Sequence, residues 1–222
     1  MTNAVPTTLA IGLLLNVATA RAAGGHFDVD DASVLDPGHC QYETWLARAP
    51  DAAATLFHLG PGCRVGPVEI GVNLDWLSGA DGRLTNLGPQ LKWVVDPWVG
   101  KLSTGLAWSA SFDVTHGGRP AHTAYVPLTW WAAEKLWVHA NVGADWEPSR
   151  VRTRRVGVSG EWAATDRWTV IGERGKFLGN WTSRLGVRFN LNESIGLDLS
   201  AARTGPGATR LFVIGLNHDF AR

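Results

Sequence analysis

Apolar and polar residues alternate with a period of two along most of the chain after residue 40. The segment 68–76 (VEIGVNLDW) places Val, Ile, Val, Leu and Trp on one face, and Glu, Gly, Asn and Asp on the other. The segments 136–146 and 184–190 repeat this arrangement. A period of two is typical of β-strands that have one apolar and one polar face. The pattern therefore predicts an all-β protein.

Segments of this kind recur along the chain at regular spacing. They begin near Cys40, Thr55, Pro67, Asn86, Lys101, His122, Lys135, Val151, Arg167, Asn180, Ser194 and Ala208. Most span roughly ten residues, which is the length that a tilted strand needs to cross a bilayer. The sequence therefore predicts an antiparallel transmembrane β-barrel, with twelve strands, over residues 40–222.

The connections between these segments alternate in length. Short connections are expected at 64–66, 133–134, 165–166 and 192–193, with a slightly longer one at 96–100. Longer, polar connections are expected at 78–85, 115–121, 147–150, 174–179 and 203–207. Short turns on one rim and longer loops on the other are typical of an outer-membrane barrel, here with both termini in the periplasm.

Composition favours a membrane barrel over two soluble alternatives, a lipocalin-like barrel and a β-sandwich. Charged residues form 18% of the chain, below the roughly 25% of a typical soluble domain. Tryptophans cluster near segment ends, where indoles prefer the headgroup level; these are Trp76, Trp93, Trp130, Trp137, Trp146, Trp162, Trp168 and Trp181. The formal net charge is zero, which argues against a nucleic-acid partner and leaves membrane lipid as the expected one.

The first twenty residues contain no charged residue, and 9–15 form an apolar stretch. Small-x-small cleavage sites follow at 18–20 and 20–22, so residues 1–22 are predicted to be a signal peptide. The usual basic start is missing, and a short hydrophobic core helix is the alternative. Residues 23–39 form an acidic lead-in, which could be a lumen plug, a cation site, a periplasmic contact or a disordered segment.

Cys40 and Cys63 are the only cysteines. In an antiparallel hairpin, the residue numbers of two facing residues have a constant sum. Cys40 and Cys63 have the same sum as residues 49 and 54, the ends of the predicted turn, so they would lie opposite each other in the first hairpin. We predict a disulfide between them, which requires an oxidising compartment; the alternative is two free thiols. Nothing in the pattern points to a metal site or a cofactor.

If the apolar face contacts lipid, the polar face lines the lumen. The charged and titratable residues predicted there are Glu43, Glu69, Asp75, Lys92, Asp113, His139, Asp145, Arg155, Glu161, Glu173, Arg184, Arg188, Asp198 and Asp219. Isolated charges in a narrow lumen are costly, so these groups must pair or be hydrated. They could form a charged constriction that selects solutes or a salt-bridged core that plugs the barrel.

A hydrolase is the main alternative of another class, because some outer-membrane barrels hydrolyse lipids with a serine and a histidine. His139 would lie near Ser159 on the next strand, which makes contact possible. However, the chain has no G-x-S-x-G motif, and both residues are predicted to face the lumen, away from lipid.

The closing segments LGVRF (185–189), NESIGLDL (192–199) and FVIGLNHDF (212–220), with WAATDRW (162–168) followed by Glu173, resemble a bacterial family. It is the family of outer-membrane transporters associated with the meta-cleavage pathway of phenol degradation. Such barrels commonly end on an aromatic residue, whereas two residues follow Phe220 here. The resemblance implies a bacterial outer-membrane protein that passes small solutes, including aromatic or apolar compounds. We therefore expect a passive channel, with a plugged structural or interaction barrel and a lipid hydrolase as alternatives.

Overall fold

The computed structural model describes residues 25–80, 82–98, 101–149 and 151–222. The predicted signal peptide, 1–22, lies outside the described residues. Within the described ranges the chain forms twelve strands: β1 His39–Ala49, β2 Ala54–Val65, β3 Val68–Gly79, β4 Gly82–Trp98, β5 Leu102–Asp113, β6 Ala121–Ala133, β7 Leu136–Trp146, β8 Arg152–Ala163, β9 Trp168–Phe177, β10 Asn180–Asn190, β11 Ile195–Thr204 and β12 Thr209–Ala221. A 3-10 turn, Pro50–Ala52, joins β1 to β2. No helix in this part of the chain is long and apolar enough to cross a bilayer.

The strands form a closed antiparallel barrel in which each strand pairs with its neighbours in sequence and β1 pairs with β12. Closure places Cys40 opposite Phe220 and Trp45 opposite Gly215. This confirms the predicted twelve-stranded all-β fold. A closed barrel leaves no strand edge unpaired, which is the condition for strands in a bilayer.

The prediction of long loops on one rim is wrong at three places. β3 and β4 continue through most of 78–85, where Gly79 pairs with Gly82. Likewise β9 extends to Phe177 and β11 to Thr204, which shortens the connections expected at 174–179 and 203–207. The strand ends beside this rim are polar, and this made them look like loops in the sequence. The turn at Leu178 and Gly179 is tight because both residues adopt positive φ, as two-residue hairpin turns of type I′ require.

The two faces of the barrel differ in chemistry. Outward-facing Val142 and Leu185 are 62% and 65% exposed, whereas inward-facing Asp145 and Asp198 are almost completely buried. This distribution is the reverse of that in a soluble protein and matches a barrel with a lipid-facing apolar band. It therefore excludes the lipocalin-like barrel and the sandwich.

Most outward-facing tryptophans lie in two groups, whereas Trp108 lies nearer the middle of β5. Trp93, Trp130, Trp162 and Trp168 lie near the rim that holds the chain termini, and Trp76, Trp146 and Trp181 lie near the opposite rim. These two groups are the aromatic girdles expected at the two bilayer interfaces. Trp137 is the exception, because its position in β7 faces inward with His139 and Asn141.

The first hairpin contains the predicted disulfide. Cys40 pairs with Cys63 in the β1–β2 register, and the two residues are covalently joined with a Cα–Cα distance of 4.0 Å. In each strand the residues next to the cysteine face inward, Gln41 in β1 and Gly62 in β2. The disulfide therefore lies on the outer face of the barrel. The structure thus confirms the cysteine pairing and the hairpin register.

The two-faced wall predicts different effects for an arginine at adjacent positions of β3. Val72 faces outward and Asn73 faces inward, where it donates a hydrogen bond to Gln90. Val72→Arg should destabilise the barrel by about 2–4 kcal/mol because it places a charge in the lipid-facing band. Asn73→Arg should be tolerated better, because the lumen can hydrate the charge. Heat-modifiable gel mobility after refolding into liposomes measures this, and equal tolerance of both variants would contradict the assignment of faces.

The disulfide predicts a stability difference. It closes a segment with a sequence separation of 23, and a link of this length contributes about 3 kcal/mol. The double variant Cys40→Ala, Cys63→Ala should therefore unfold at lower urea concentration in detergent micelles, and reduction of the wild type should reproduce the effect. Peptide mapping of the exported protein should find the two cysteines joined; free thiols would contradict the prediction.

Candidate functional site

Residues 25–36, which we call the lumen segment, lie inside the barrel. Val29 is fully buried and Phe27 is 7% exposed. Glycines in the wall make room for them: a Cβ at Gly157 would lie 2.7 Å from the Val29 side chain, and one at Gly186 would lie 3.0 Å from the Phe27 ring. Of the roles considered for the acidic lead-in, this is the position of a lumen plug.

Lys92 is the main cationic contact of the lumen segment. Its Nζ lies 2.8 Å from Asp30 Oδ1 and 2.9 Å from Asp31 Oδ1. Tyr125 donates its hydroxyl to the other oxygen of Asp30 at 2.9 Å. One lysine thus bridges two adjacent carboxylates and offsets part of their mutual repulsion in a confined space.

Asn141 binds the backbone of the lumen segment at Asp30. Its Oδ1 accepts the Asp30 N–H at 2.8 Å, and its Nδ2 donates to the Asp30 carbonyl at 2.7 Å. This pair of bonds satisfies both backbone groups of a half-buried residue that has no strand partner.

Glu173 and Arg184 contact the lumen segment just before Asp30, at Asp28 and Val29. The N–H groups of Asp28 and Val29 donate to the Glu173 carboxylate at 3.1 and 2.9 Å. Arg184 lies between two carboxylates, with Nε 2.9 Å from Glu173 and Nη2 2.8 Å from Asp28. Arg155 adds a hydrogen bond to the Asp28 carbonyl at 2.9 Å. The predicted lumen residues of β8, β9 and β10 therefore converge on two residues of the segment.

The ends of the lumen segment have their own contacts. The Leu35 N–H donates to Glu69 at 3.1 Å, and Arg64 donates to the Leu35 carbonyl at 2.8 Å. At the other end, His26 Nε2 lies 2.6 Å from Ser200 Oγ. The segment is thus held along its length by side chains of the wall.

Other predicted lumen residues pair within the wall. Arg188 binds Asp198 through two nitrogens at 2.7 and 2.9 Å. Arg155 lies 3.3 Å from Asp145, and His58 lies 2.6 Å from Asp75. These pairs supply the charge compensation that a narrow lumen requires.

Of the remaining predicted residues, Glu43 accepts a hydrogen bond from the backbone N–H of Gly25, at the start of the lumen segment. For the others, the described part of the chain shows no hydrogen bond to the segment. Glu43 accepts a bond from Gln41 at 3.5 Å, and Glu161 lies 3.9 Å from His139. Asp113 lies at one rim, where its carboxylate accepts the N–H groups of the connection 114–120. Asp219 lies at the other rim, 2.8 Å from His39.

Several residues that hold the lumen segment are uncharged and were not singled out in the sequence. They are Ser103, Tyr125, Thr129, Asn141 and Ser200. Each occupies the polar phase of its strand, so the alternation places it on the inner face. Only charged and titratable groups were treated as candidates, and an uncharged polar residue on that face gives no further indication of its role.

His139 and Ser159 lie directly opposite each other in the β7–β8 register. Yet His139 Nδ1 shares a hydrogen bond with Thr129 at 2.9 Å, and within the described residues Ser159 Oγ has no hydrogen-bond partner. Both side chains are buried in the lumen. They do not form an activated nucleophile of the kind that a hydrolase needs. Nor does the described part of the chain bring together three or more His, Cys, Asp or Glu residues that could hold a metal.

A closed barrel with an apolar outer wall, two aromatic girdles and a charged interior defines a transmembrane β-barrel. Solved structures share this fold. The KdgM porin in complex with disordered oligogalacturonate has a TM-score of 0.61 at 9% identity, over 82% of this chain and 99% of that chain. The NanC porin has a TM-score of 0.58 at 10% identity, over 81% and 98%. The COG4313 outer membrane channel from Pseudomonas putida F1 has a TM-score of 0.59 at 11% identity, over 86% and 98%.

At the level of sequence, a family model matches nearly the whole chain. The family described as "Uncharacterised conserved protein UCP029691" matches residues 11–218, and the chain belongs to this family. No curated protein matches the chain.

The contacts of Lys92 predict that its loss frees the lumen segment. Lys92→Gln removes the cation that Asp30 and Asp31 share, and removing one partner of a buried ion pair costs about 3–5 kcal/mol. A cysteine placed at Ser33 should then react with a maleimide severalfold faster than in the Lys92 background. Lys176→Gln, which removes an outward-facing lysine from β9, is the control and should leave the rate unchanged. Equal rates in all three proteins would contradict the role given to Lys92.

Proposed function

We propose that the protein is an outer-membrane channel for small solutes and that the lumen segment closes it in this structure. The observation that carries this proposal is the way the segment is held. Its backbone and its carboxylates bind polar side chains of the wall, so the barrel has a polar interior even where the segment fills it. An interior built only for support would be expected to pack apolar side chains instead.

The segment's contacts are of a kind that water can replace. They are hydrogen bonds and ion pairs made by side chains, and the net contribution of a hydrogen bond to a charged group is about 1.5–3 kcal/mol. The segment adds no strand to the barrel, whose strands pair only with one another. It can therefore leave the lumen without breaking the wall.

Export through a signal peptide over residues 1–22 is part of this proposal. The Cys40–Cys63 disulfide supports it, because structural disulfides persist in oxidising compartments such as the periplasm. The exposed apolar outer wall supports lipid as the surrounding medium. Together these features favour the bacterial outer membrane as the location.

We further propose that the solutes are small and aromatic or apolar. The inner wall has an apolar zone beside its charges, with Ile171 and Phe177 buried in it. The inner wall also carries more acidic than basic side chains, which disfavours anionic solutes. The resemblance of the closing strands to transporters associated with the meta-cleavage pathway of phenol degradation points the same way.

A plugged structural or interaction barrel remains the second candidate. The same observation favours it, because the lumen segment is held along its length and the wall charges are paired. The two functions differ in one respect: a channel conducts once the segment is displaced, and a structural barrel does not.

Planar-bilayer conductance separates these candidates. We expect low conductance for the refolded mature protein and clearly higher conductance for the double variant Lys92→Gln, Glu173→Gln, because two of the anchors of the segment are lost. Lys176→Gln should behave as the wild type. A chain that lacks residues 25–36, shown to fold by heat-modifiable mobility, should conduct most. If this folded chain conducts no better than background, the structural barrel is the correct assignment.

Solute class is tested by uptake into liposomes that contain the chain without residues 25–36. An uncharged phenol-sized compound should enter faster than a carboxylated analogue of similar size, because acidic side chains line the wall. Faster entry of the anionic compound would contradict the proposed solute class.

A further inference from the structure

Charge is distributed unevenly over the outer wall. Among the strand residues whose side chains the structure describes, every charged residue that faces outward is basic. They are Arg48, Arg83, Arg152, Arg154, Arg174, Lys176, Arg203 and Arg210. All of them lie beside the rim opposite the chain termini, and we call them the basic belt. The acidic residues of the strands belong to the inward-facing phase.

Four neighbouring strands bring part of the belt into one row. In the register of β9 to β12, Arg174 lies opposite Ser183, Ser183 opposite Arg203, and Arg203 opposite Arg210. Neighbouring strands lie about 4.8 Å apart, so three arginines fall within a span that one lipid headgroup can cover. Arg174 is held in place by a 2.6 Å hydrogen bond to Ser183 Oγ and by the Trp181 ring, 5.1 Å from its guanidinium carbon.

The row lacks enough negative charge of its own. Arg210 binds Asp51 at 2.6 Å, and these hydrogen bonds lower the pKa of Asp51 to about 2. Within the described part of the chain, neither Arg174 nor Arg203 has a carboxylate within ion-pair distance. Like charges directly opposite each other on a sheet destabilise it. A further anion beside Arg203 and Arg210 would therefore reduce the repulsion between their guanidinium groups.

Apolar grooves lie directly below this row. In the register, Ala201 lies between Leu185 and Phe212, and its small side chain leaves a groove of about 410 Å³ that Arg203 and Arg210 border. A second groove of about 630 Å³, lined mainly by valines of β6 to β8 and by Leu128, ends at Arg174 and Trp181. Arginines above an apolar groove match a lipid, which has an anionic headgroup above an acyl chain.

We propose that the row formed by Arg174, Ser183, Arg203 and Arg210 binds the phosphate groups of lipid A, the diphosphorylated glycolipid anchor of the outer leaflet, with acyl chains in the two grooves. This proposal rests on the outer-membrane location proposed above, with the termini in the periplasm. Arginine favours phosphate because its planar guanidinium donates two parallel hydrogen bonds. A headgroup with two phosphates fits a row of several arginines better than one with a single phosphate.

Native mass spectrometry of the mature protein in detergent micelles tests the arginines with diphosphoryl lipid A as the probe. We expect the double variant Arg174→Gln, Arg203→Gln to bind about tenfold more weakly than the wild type, which corresponds to about 1.4 kcal/mol. The control, Lys101→Gln with Arg167→Gln, removes two charges near the other rim and should stay within about twofold. Equal loss in both double variants would overturn the site. Heat-modifiable mobility checks that each variant is folded, so a failure of membrane assembly is distinguishable from a failure of lipid binding.

Two further measurements test the class of ligand. Phosphatidylglycerol should bind more weakly than lipid A, and inorganic phosphate should not displace lipid A at equal concentration. Equal binding of phosphatidylglycerol, or displacement by phosphate, would overturn the assignment to a diphosphorylated lipid. Ala201→Trp fills the groove while leaving every arginine in place, and it should weaken lipid A binding severalfold. Unchanged binding would show that no acyl chain occupies this groove.

Discussion

Charge compensation inside a narrow closed barrel is the constraint on which the rest of this structure depends. Alternation turns the polar phase of every strand inward, so carboxylates and guanidinium groups from opposite walls share one lumen. Burial of such charges is unfavourable unless each finds a partner. Part of this compensation is local, as between Arg188 and Asp198, and part comes from a segment that belongs to no strand.

The lumen segment supplies the carboxylates that Lys92 and Arg184 bind, and it takes backbone contacts from Asn141 and Glu173. Its removal would leave those cations and polar groups to water. Water can take this role in a channel, whereas a dry plugged core would lose its partners. The interior is therefore compatible with two states, one filled by the chain itself and one filled by solvent and solute.

The outer wall obeys a different constraint. Its middle must be apolar because lipid cannot hydrate a charge there, and its edges must suit the interfaces. Tryptophans occupy both edges, but the outward-facing basic residues of the described strands occupy only the edge away from the termini. This asymmetry gives the barrel a direction. The two longest connections, 114–120 and 147–151, lie at the same rim as the basic belt.

The sequence by itself determined the all-β class, the twelve strands, the hairpin disulfide and the phase of each strand. These follow from local rules. A period of two tells which side chains share a face of a strand, and the constant sum of the residue numbers of facing residues identifies the partners in a hairpin. It did not determine where β3 and β4 end, because polar outward residues near a rim resemble a loop. Nor did it determine the path of the lumen segment, the importance of Asn141 and Tyr125, or the row of Arg174, Arg203 and Arg210. Those depend on residues far apart in the chain, which closure of the barrel and the stagger of its strands bring together, and no local pattern records that stagger.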